Sequence, residues 1–204
     1  MMAHPNIALL AITGGPGIVS MALKSGKKTI GAGAGNPPCL VDETAEIVKA
    51  ARDIIAGASL DYNLPCIAEK SVIVVECVAD QLIQQMREYG ALQITDPQQM
   101  AALREVCIQK GAANKQLVGK SPAVILAAAG LPVPAKVPKL IILETAADDP
   151  LVVTEQLMPV LPIVRVDNFE QGLALAPKVE DGLHHTAIMH SQNVSRLNKA
   201  AHLM

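Results

Sequence analysis

The chain has 204 residues, of which 50% are hydrophobic and 18% charged, with a formal net charge of −2. That composition can bury the core of one domain or one and a half, and it argues against a disordered chain. The near-neutral charge, with only Tyr62, Tyr89 and Phe169 as aromatics, argues against a polyanion binder and against stacking platforms for single-stranded nucleic acid.

In chain order, Ile7 to Thr13 is a continuous apolar run that ends in a glycine turn, the pattern of a buried strand. Pro16 to Ser25 reads as a helix, with proline in its first turn and Gly26 as its cap. Lys28 to Ile30 and Cys39 to Val41 are short strands on either side of a second glycine turn. Glu43 to Ala56 places Ile47, Ala51, Ile54 and Ile55 on one helical face, and Gly57 can close that helix. Ser71 to Glu76 is a β-branched strand, followed by a helix from Val78 to Tyr89. Asp96-Pro97 and Ser121-Pro122 are helix starts, the first helix reaching Val106 and the second ending at Gly130. Pro132 to Pro138 is a connection. Lys139 to Glu144, Leu161 to Val166 and Thr186 to His190 are strands, and helices fill Phe169 to Val179 and Val194 to the end. Strands separated by helices predict an α/β fold: a three-layer, largely parallel sheet flanked by helices.

The N-terminus Met1-Met2-Ala3-His4-Pro5-Asn6 lacks the basic region of a secretory signal, and no run of about 18 apolar residues offers a membrane span. Cys39, Cys66, Cys77 and Cys107 form no CxxC pair and no zinc spacing, which fits free thiols in a reducing cytoplasm. His184, His185 and His190 have no carboxylate or cysteine at a ligand spacing, so they read as loop and strand residues and no metal is expected.

Cys66 lies in the polar, turn-rich stretch Leu60-Asp61-Tyr62-Asn63-Leu64-Pro65-Cys66-Ile67-Ala68-Glu69-Lys70, just before a strand. A thiol there can be exposed, ionised and nucleophilic, although most cysteines are buried structural residues. Cys39, Cys77 and Cys107 lie in or beside apolar patterns and are assigned to core packing. Upstream are the glycine turns Thr13-Gly14-Gly15-Pro16-Gly17 and Gly31-Ala32-Gly33-Ala34-Gly35-Asn36-Pro37-Pro38. Backbone at such turns can approach a nucleotide closely, and a helix N-terminus after the first would favour a pyrophosphate. Neither turn is a GxGxxG fingerprint, and a plain strand-to-helix connection accounts for the first equally well.

These segments, together with Thr154-Glu155-Gln156-Leu157-Met158-Pro159 and Gly182-Leu183-His184-His185-Thr186-Ala187-Ile188-Met189-His190-Ser191, resemble the CoA-acylating aldehyde dehydrogenases over essentially the whole chain. The likeness is to the propionaldehyde-oxidising branch of propanediol-utilisation microcompartments, with the acetaldehyde enzymes of ethanolamine utilisation as near relatives. The resemblance implies that Cys66 is the nucleophile and forms a thioester. It implies that Thr13, Gly14, Gly15 and Gly33 contact NAD, that Glu155 holds the nicotinamide ribose, and that coenzyme A takes the acyl group. Where hydrolytic relatives carry a glutamate, the second turn has Ala32, so the acyl group is expected to pass to a thiol and not to water. Asn63 is expected to shape the loop before Cys66 and to have no catalytic role. Leu157 stands where the family usually has an aromatic.

The resemblance further implies residues 1–33 as the last part of an NAD-binding domain and residues 34–204 as a catalytic domain cut at its C-terminal end. The polypeptide would then be a fragment with negligible activity of its own, drawn from a homo-oligomeric parent housed in a microcompartment lumen. The rival readings are an acetaldehyde-specific relative and a non-catalytic interaction or assembly domain.

Overall fold

Short β-branched and leucine-rich runs, each closed by glycine or proline, build the strands, and amphipathic stretches between them build the helices. A computed structural model describes residues 1–204, the side chain of Pro16 excepted. The chain divides into two units, Met1–Gly35 and Asn36–Met204.

In the first unit, β1 (Leu9–Thr13) lies parallel to β2 (Lys28–Ala32), with α1 (Pro16–Leu23) between them in sequence. The register pairs Leu9 with Lys28 and Thr13 with Ala32. The two glycine turns therefore leave the same end of this small sheet, where the Gly14 N–H donates to the Ala32 carbonyl at 3.1 Å. The sharp stop of α1 falls to Gly26, at φ +77° in the left-handed region.

The second unit runs β3 (Pro38–Val41), α2 (Ile47–Ser59), a 3₁₀ turn (Leu60–Asn63), β4 (Ser71–Val75), α3 (Glu76–Glu88) and β5 (Ala91–Gln93). It continues through α4 (Pro97–Cys107), the hairpin strands β6 (Ile108–Gln109) and β7 (Ala112–Ala113), α5 (Pro122–Ala128), β8 (Leu140–Glu144) and α6 (Pro150–Val153). It ends with β9 (Val160–Val166), α7 (Phe169–Val179), β10 (Ile188–His190) and α8 (Val194–Leu203). Six strands form one parallel sheet in the order β10-β3-β4-β9-β8-β5.

Alternate residues of each strand point to opposite faces. Cys39, Val41, Val72, Val74, Leu140, Ile142, Leu161 and Ile163 pack on α2 and α3. Leu40, Ile73, Val75, Val164 and Val166 pack on α7 and α8. Ile141, Leu143 and Val160 pack on α4, α5 and α6. This is the expected three-layer parallel architecture, and Cys66 lies in the segment that enters its central strand β4.

Several local expectations change. The helix placed at Glu43 to Ala56 runs Ile47–Ser59. Its start is delayed because Asp42 Oδ1 accepts from the Thr44 N–H at 2.8 Å and from the Thr44 hydroxyl at 2.6 Å, folding the chain into a side-chain-closed turn. Gly57 does not close the helix: it lies inside it, where a Cβ would collide with the Glu69 carboxylate. Cys77 is exposed and is not a core residue, since it precedes the buried stripe Ala79, Leu82, Ile83 and Met86 on the other face of α3. Asp96 caps α4 as expected, accepting from Gln98 N and Gln99 N, both at 2.9 Å. Ser121 precedes α5 without a side-chain cap bond.

Candidate active site

The segment between α2 and β4 is held by its own polar side chains. Asp61, Tyr62 and Asn63 have φ of +47°, +55° and +61°, three consecutive non-glycine residues in the left-handed region. Such a run persists only when the surroundings over-determine it. Here Asn63 is fully buried, and its amide donates to the Glu69 carbonyl at 3.0 Å. Asn63 thus forms a cross-brace over the loop that carries Cys66.

The centre of the brace is Lys70, a residue to which the sequence reading gave no role. Its side chain is 0% exposed. The ammonium donates to Asn63 Oδ1 and the Pro65 carbonyl, each at 2.7 Å, and to the Asn63 and Ala68 carbonyls, each at 3.2 Å. The Ala68 N–H donates to the Pro65 carbonyl at 3.2 Å, so Cys66 and Ile67 form the tip of a tight turn. Cys66 is half-buried and Ile67 is 62% exposed. Burial pushes the Lys70 pKa down to about 8, against the charges of Glu155, Cys66 and Glu69, which favour the ammonium. Burial raises the Glu69 carboxyl, with its own backbone amide and Lys70 opposing.

The main chain of Lys70 is fixed as well. Its N–H donates to the Pro37 carbonyl at 2.9 Å, and its carbonyl accepts from Gln156 Nε2 at 3.2 Å. Gln156 is fully buried and also donates to the carbonyls of Leu151 at 2.9 Å and Val160 at 3.2 Å. Gln156 therefore ties the Thr154–Pro159 segment to the Cys66 loop. Both residues escaped the sequence reading although both lie inside the quoted motifs. A lysine directly abutting the apolar run Ser71–Val75 was the available signal.

The predicted site residues fall into two sets. Thr13, Gly14, Gly15 and Gly33 share one end of the small sheet in the first unit. Gly14 has a packing reason: its Cβ would lie 2.7 Å from Ile18 Cγ2. Gly15, which caps α1, and Gly33 have none, since a Cβ on either meets nothing within 4 Å. In the second unit, half-buried Glu155 and the Cys66 loop both act on Lys70.

Elsewhere in the second unit, the backbone N–H groups of His184 and His185 donate to the Glu180 carboxylate at 2.9 and 2.8 Å. His190 lies on β10, where burial lowers its pKa. Among the described residues no group of three His, Cys, Asp or Glu side chains could hold a metal ion. No helix among them is long and apolar enough to cross a membrane. A cavity of about 530 Å³ borders α7 and β10. Its lining includes Leu173, Glu180 and His185 but not Cys66, Lys70 or Glu155.

A parallel sheet that presents a braced cysteine at the entry of its central strand matches one family throughout. The aldehyde dehydrogenase family model matches residues 1–204, and the chain belongs to that family. It is 69% identical over 201 residues to the propanal dehydrogenase (CoA-propanoylating) of Citrobacter freundii, covering 98% of this chain and 43% of the relative. It is 45% identical over 208 residues to the acetylating acetaldehyde dehydrogenase of Escherichia coli, covering 98% and 44%. A crystal structure of Rhodopseudomonas palustris propionaldehyde dehydrogenase with bound CoA and an acylated cysteine superposes with a TM-score of 0.94 at 47% identity, covering 99% of this chain and 46% of that one. The chain thus spans less than half the length of these relatives.

Proposed function

We propose that this chain supplies the nucleophile-bearing part of a CoA-acylating aldehyde dehydrogenase, which converts a short aliphatic aldehyde, CoA and NAD⁺ into acyl-CoA and NADH. The observation that carries the reading is the half-buried Cys66 at the tip of a turn whose carbonyls converge on a buried ammonium. The exposed side chains of Leu60, Tyr62, Leu64 and Ile67 along the same loop suit an alkyl substrate. Greater identity to the propanal enzyme than to the acetaldehyde enzyme favours propionaldehyde.

In this reading the Cys66 thiolate attacks the aldehyde carbon, a C–S bond forms, and the carbonyl electron pair moves onto oxygen. The backbone N–H of Cys66 is a donor for that oxyanion. NAD⁺, when bound, supplies the acceptor for the hydride that leaves the same carbon as the carbonyl re-forms. The thiol of CoA then takes the acyl group and Cys66 is restored. Ala32 offers no carboxylate to activate water, so transfer to a thiol prevails.

The residues present fit a dinucleotide. Gly15 and Gly33 leave open space beside the backbone that packing does not require, and Gly15 caps α1 without a side-chain hydrogen bond. Thr13, Gly14, Gly15 and Gly33 would hold the pyrophosphate side, and Glu155 the nicotinamide ribose hydroxyls. Residues 1–33 then belong to a cofactor domain and 34–204 to the catalytic domain. The full-length protein would act as a homo-oligomer in a microcompartment lumen.

The test is propionyl-CoA formation by the full-length protein. Cys66→Ala should abolish it and Cys66→Ser nearly so, whereas alanine at Cys39, Cys77 or Cys107 should not. Loss of a covalent nucleophile removes several orders of magnitude in rate, so about a tenth of wild-type activity in Cys66→Ala would refute the assignment.

A further inference from the structure

We propose that Lys70 is a positioning residue for the reaction: its ammonium holds the Pro65 carbonyl inward and thereby aims the Cys66 backbone N–H at the oxyanion. The inference rests on the thioester chemistry proposed above for Cys66.

The geometry is that of one peptide plane. The described residues contain no cis peptide bond, so the Pro65–Cys66 unit is trans, with its C=O and N–H antiparallel. Lys70 Nζ draws the Pro65 oxygen to 2.7 Å beneath the turn. The N–H of Cys66 must then point away from the ammonium, toward the outer side of the turn. A second tether at the Ala68 carbonyl, 3.2 Å from Nζ, fixes the far end of the same turn, so the plane cannot rock freely. The base is rigid because the Lys70 main chain is held on both sides, by Pro37 and by Gln156.

A lysine suits this task better than a neutral donor. One ammonium presents three N–H groups in a radial array, and here four oxygens from three residues converge on it. Burying a charge so fully is unfavourable unless its donors are satisfied. Along an apolar strand entry a surface lysine would run its head out to water. Lys70 does the reverse.

Two reactions of Cys66 separate aim from mere integrity of the loop. With propionyl-CoA, sulfur attacks the thioester carbonyl, an oxyanion develops, and the C–S bond to CoA breaks as CoA leaves with the electron pair. With iodoacetamide, sulfur displaces iodide from a saturated carbon and no oxyanion forms. Both rates are read as adducts by intact mass on the full-length protein.

Lys70→Met should lower the ratio of acylation to alkylation by about 10²-fold, the loss typical of one oxyanion donor. An equal fall in both rates, or in neither, would overturn the proposal. Should the variant fail to fold, the wild type decides. The titratable groups acting on Lys70 are Glu69, Glu155 and Cys66. Both reactions use the same sulfur, so the ratio of their rates cancels changes in its nucleophilicity. The ratio of acylation to alkylation should therefore drop as pH rises through about 8, where Lys70 loses its proton. A flat ratio would overturn the proposal. A wild type that never acquires a propionyl adduct at Cys66 would instead overturn the thioester chemistry itself.

Discussion

Replacing Asn63 by alanine tests the brace most directly, because the side chain holds two sides of the loop at once. The substitution removes the 2.7 Å bond from the Lys70 ammonium to Oδ1, a charge-assisted bond worth about 1.5–3 kcal/mol. It removes the 3.0 Å bond from the amide to the Glu69 carbonyl, worth about 1 kcal/mol. Alanine at φ +61° adds a smaller loss, since asparagine carries a Cβ as well and is only better tolerated in the left-handed region. The two bonds sum to roughly 2.5–4 kcal/mol, and the expected loss is about 3 kcal/mol.

The assay is urea denaturation of the full-length protein, followed by far-UV circular dichroism, with Lys70→Met and the double variant measured alongside. The two single losses should not add: a coupling of about 1.5–3 kcal/mol is expected from the shared bond. A loss below about 1 kcal/mol for Asn63→Ala, or strict additivity in the cycle, would refute the claim that Asn63 and Lys70 act as one unit.

Under the proposed reaction, glutamate at Ala32 of the full-length protein should shift product from propionyl-CoA toward free propionate, since the second glycine turn would gain a base. An unchanged ratio in a folded variant would mean that the base position is misassigned. Gly172→Ala should destabilise by about 1 kcal/mol, because overpacking of about 1–3 kcal/mol exceeds the helix-propensity gain of about 1 kcal/mol. The new Cβ would lie 2.6 Å from Leu40 Cδ1 and 3.4 Å from methyls of both Ile73 and Val166, so a raised urea midpoint would contradict the close approach of α7 to the sheet. Burial pushes the fully buried Cys107 thiol from 9.0 up to about 12. The native state then keeps a proton that the unfolded chain releases, so this stability is complete below pH 9 and is lost as pH rises toward 12. Above pH 9 the slope is at most about 1.4 kcal/mol per pH unit. Cys107→Val should flatten the fall in melting temperature between pH 9 and about 11, and an unchanged slope would show that this thiol titrates in the native state.

The sheet was legible because each strand carries its own periodicity. Ser71–Val75 and Leu140–Glu144 are apolar on both faces, and only a strand covered on both sides needs that pattern. What escaped was decided at a distance. Gly57 reads locally as a helix stop, yet its lack of a side chain makes room for a carboxylate twelve positions further along the chain. Cys77 adjoins an apolar strand in sequence but points away from the core, because the change from strand to helix at Glu76 rotates the buried face. The brace is the clearest case. Asn63, Lys70 and Gln156 are polar residues in turn-rich or strand-entry positions, where sequence predicts solvent. Their burial follows from convergence: Lys70 satisfies four oxygens of the Cys66 loop, and Gln156 ties three separate carbonyls together. Periodicity detects apolar surface that must be hidden, and it carries no signal for polar groups that are hidden because they satisfy one another. Cys66 could therefore be nominated from its motif and Asn63 as a shaper of its loop, while Lys70 and Gln156 emerged only from the three-dimensional hydrogen-bond pattern.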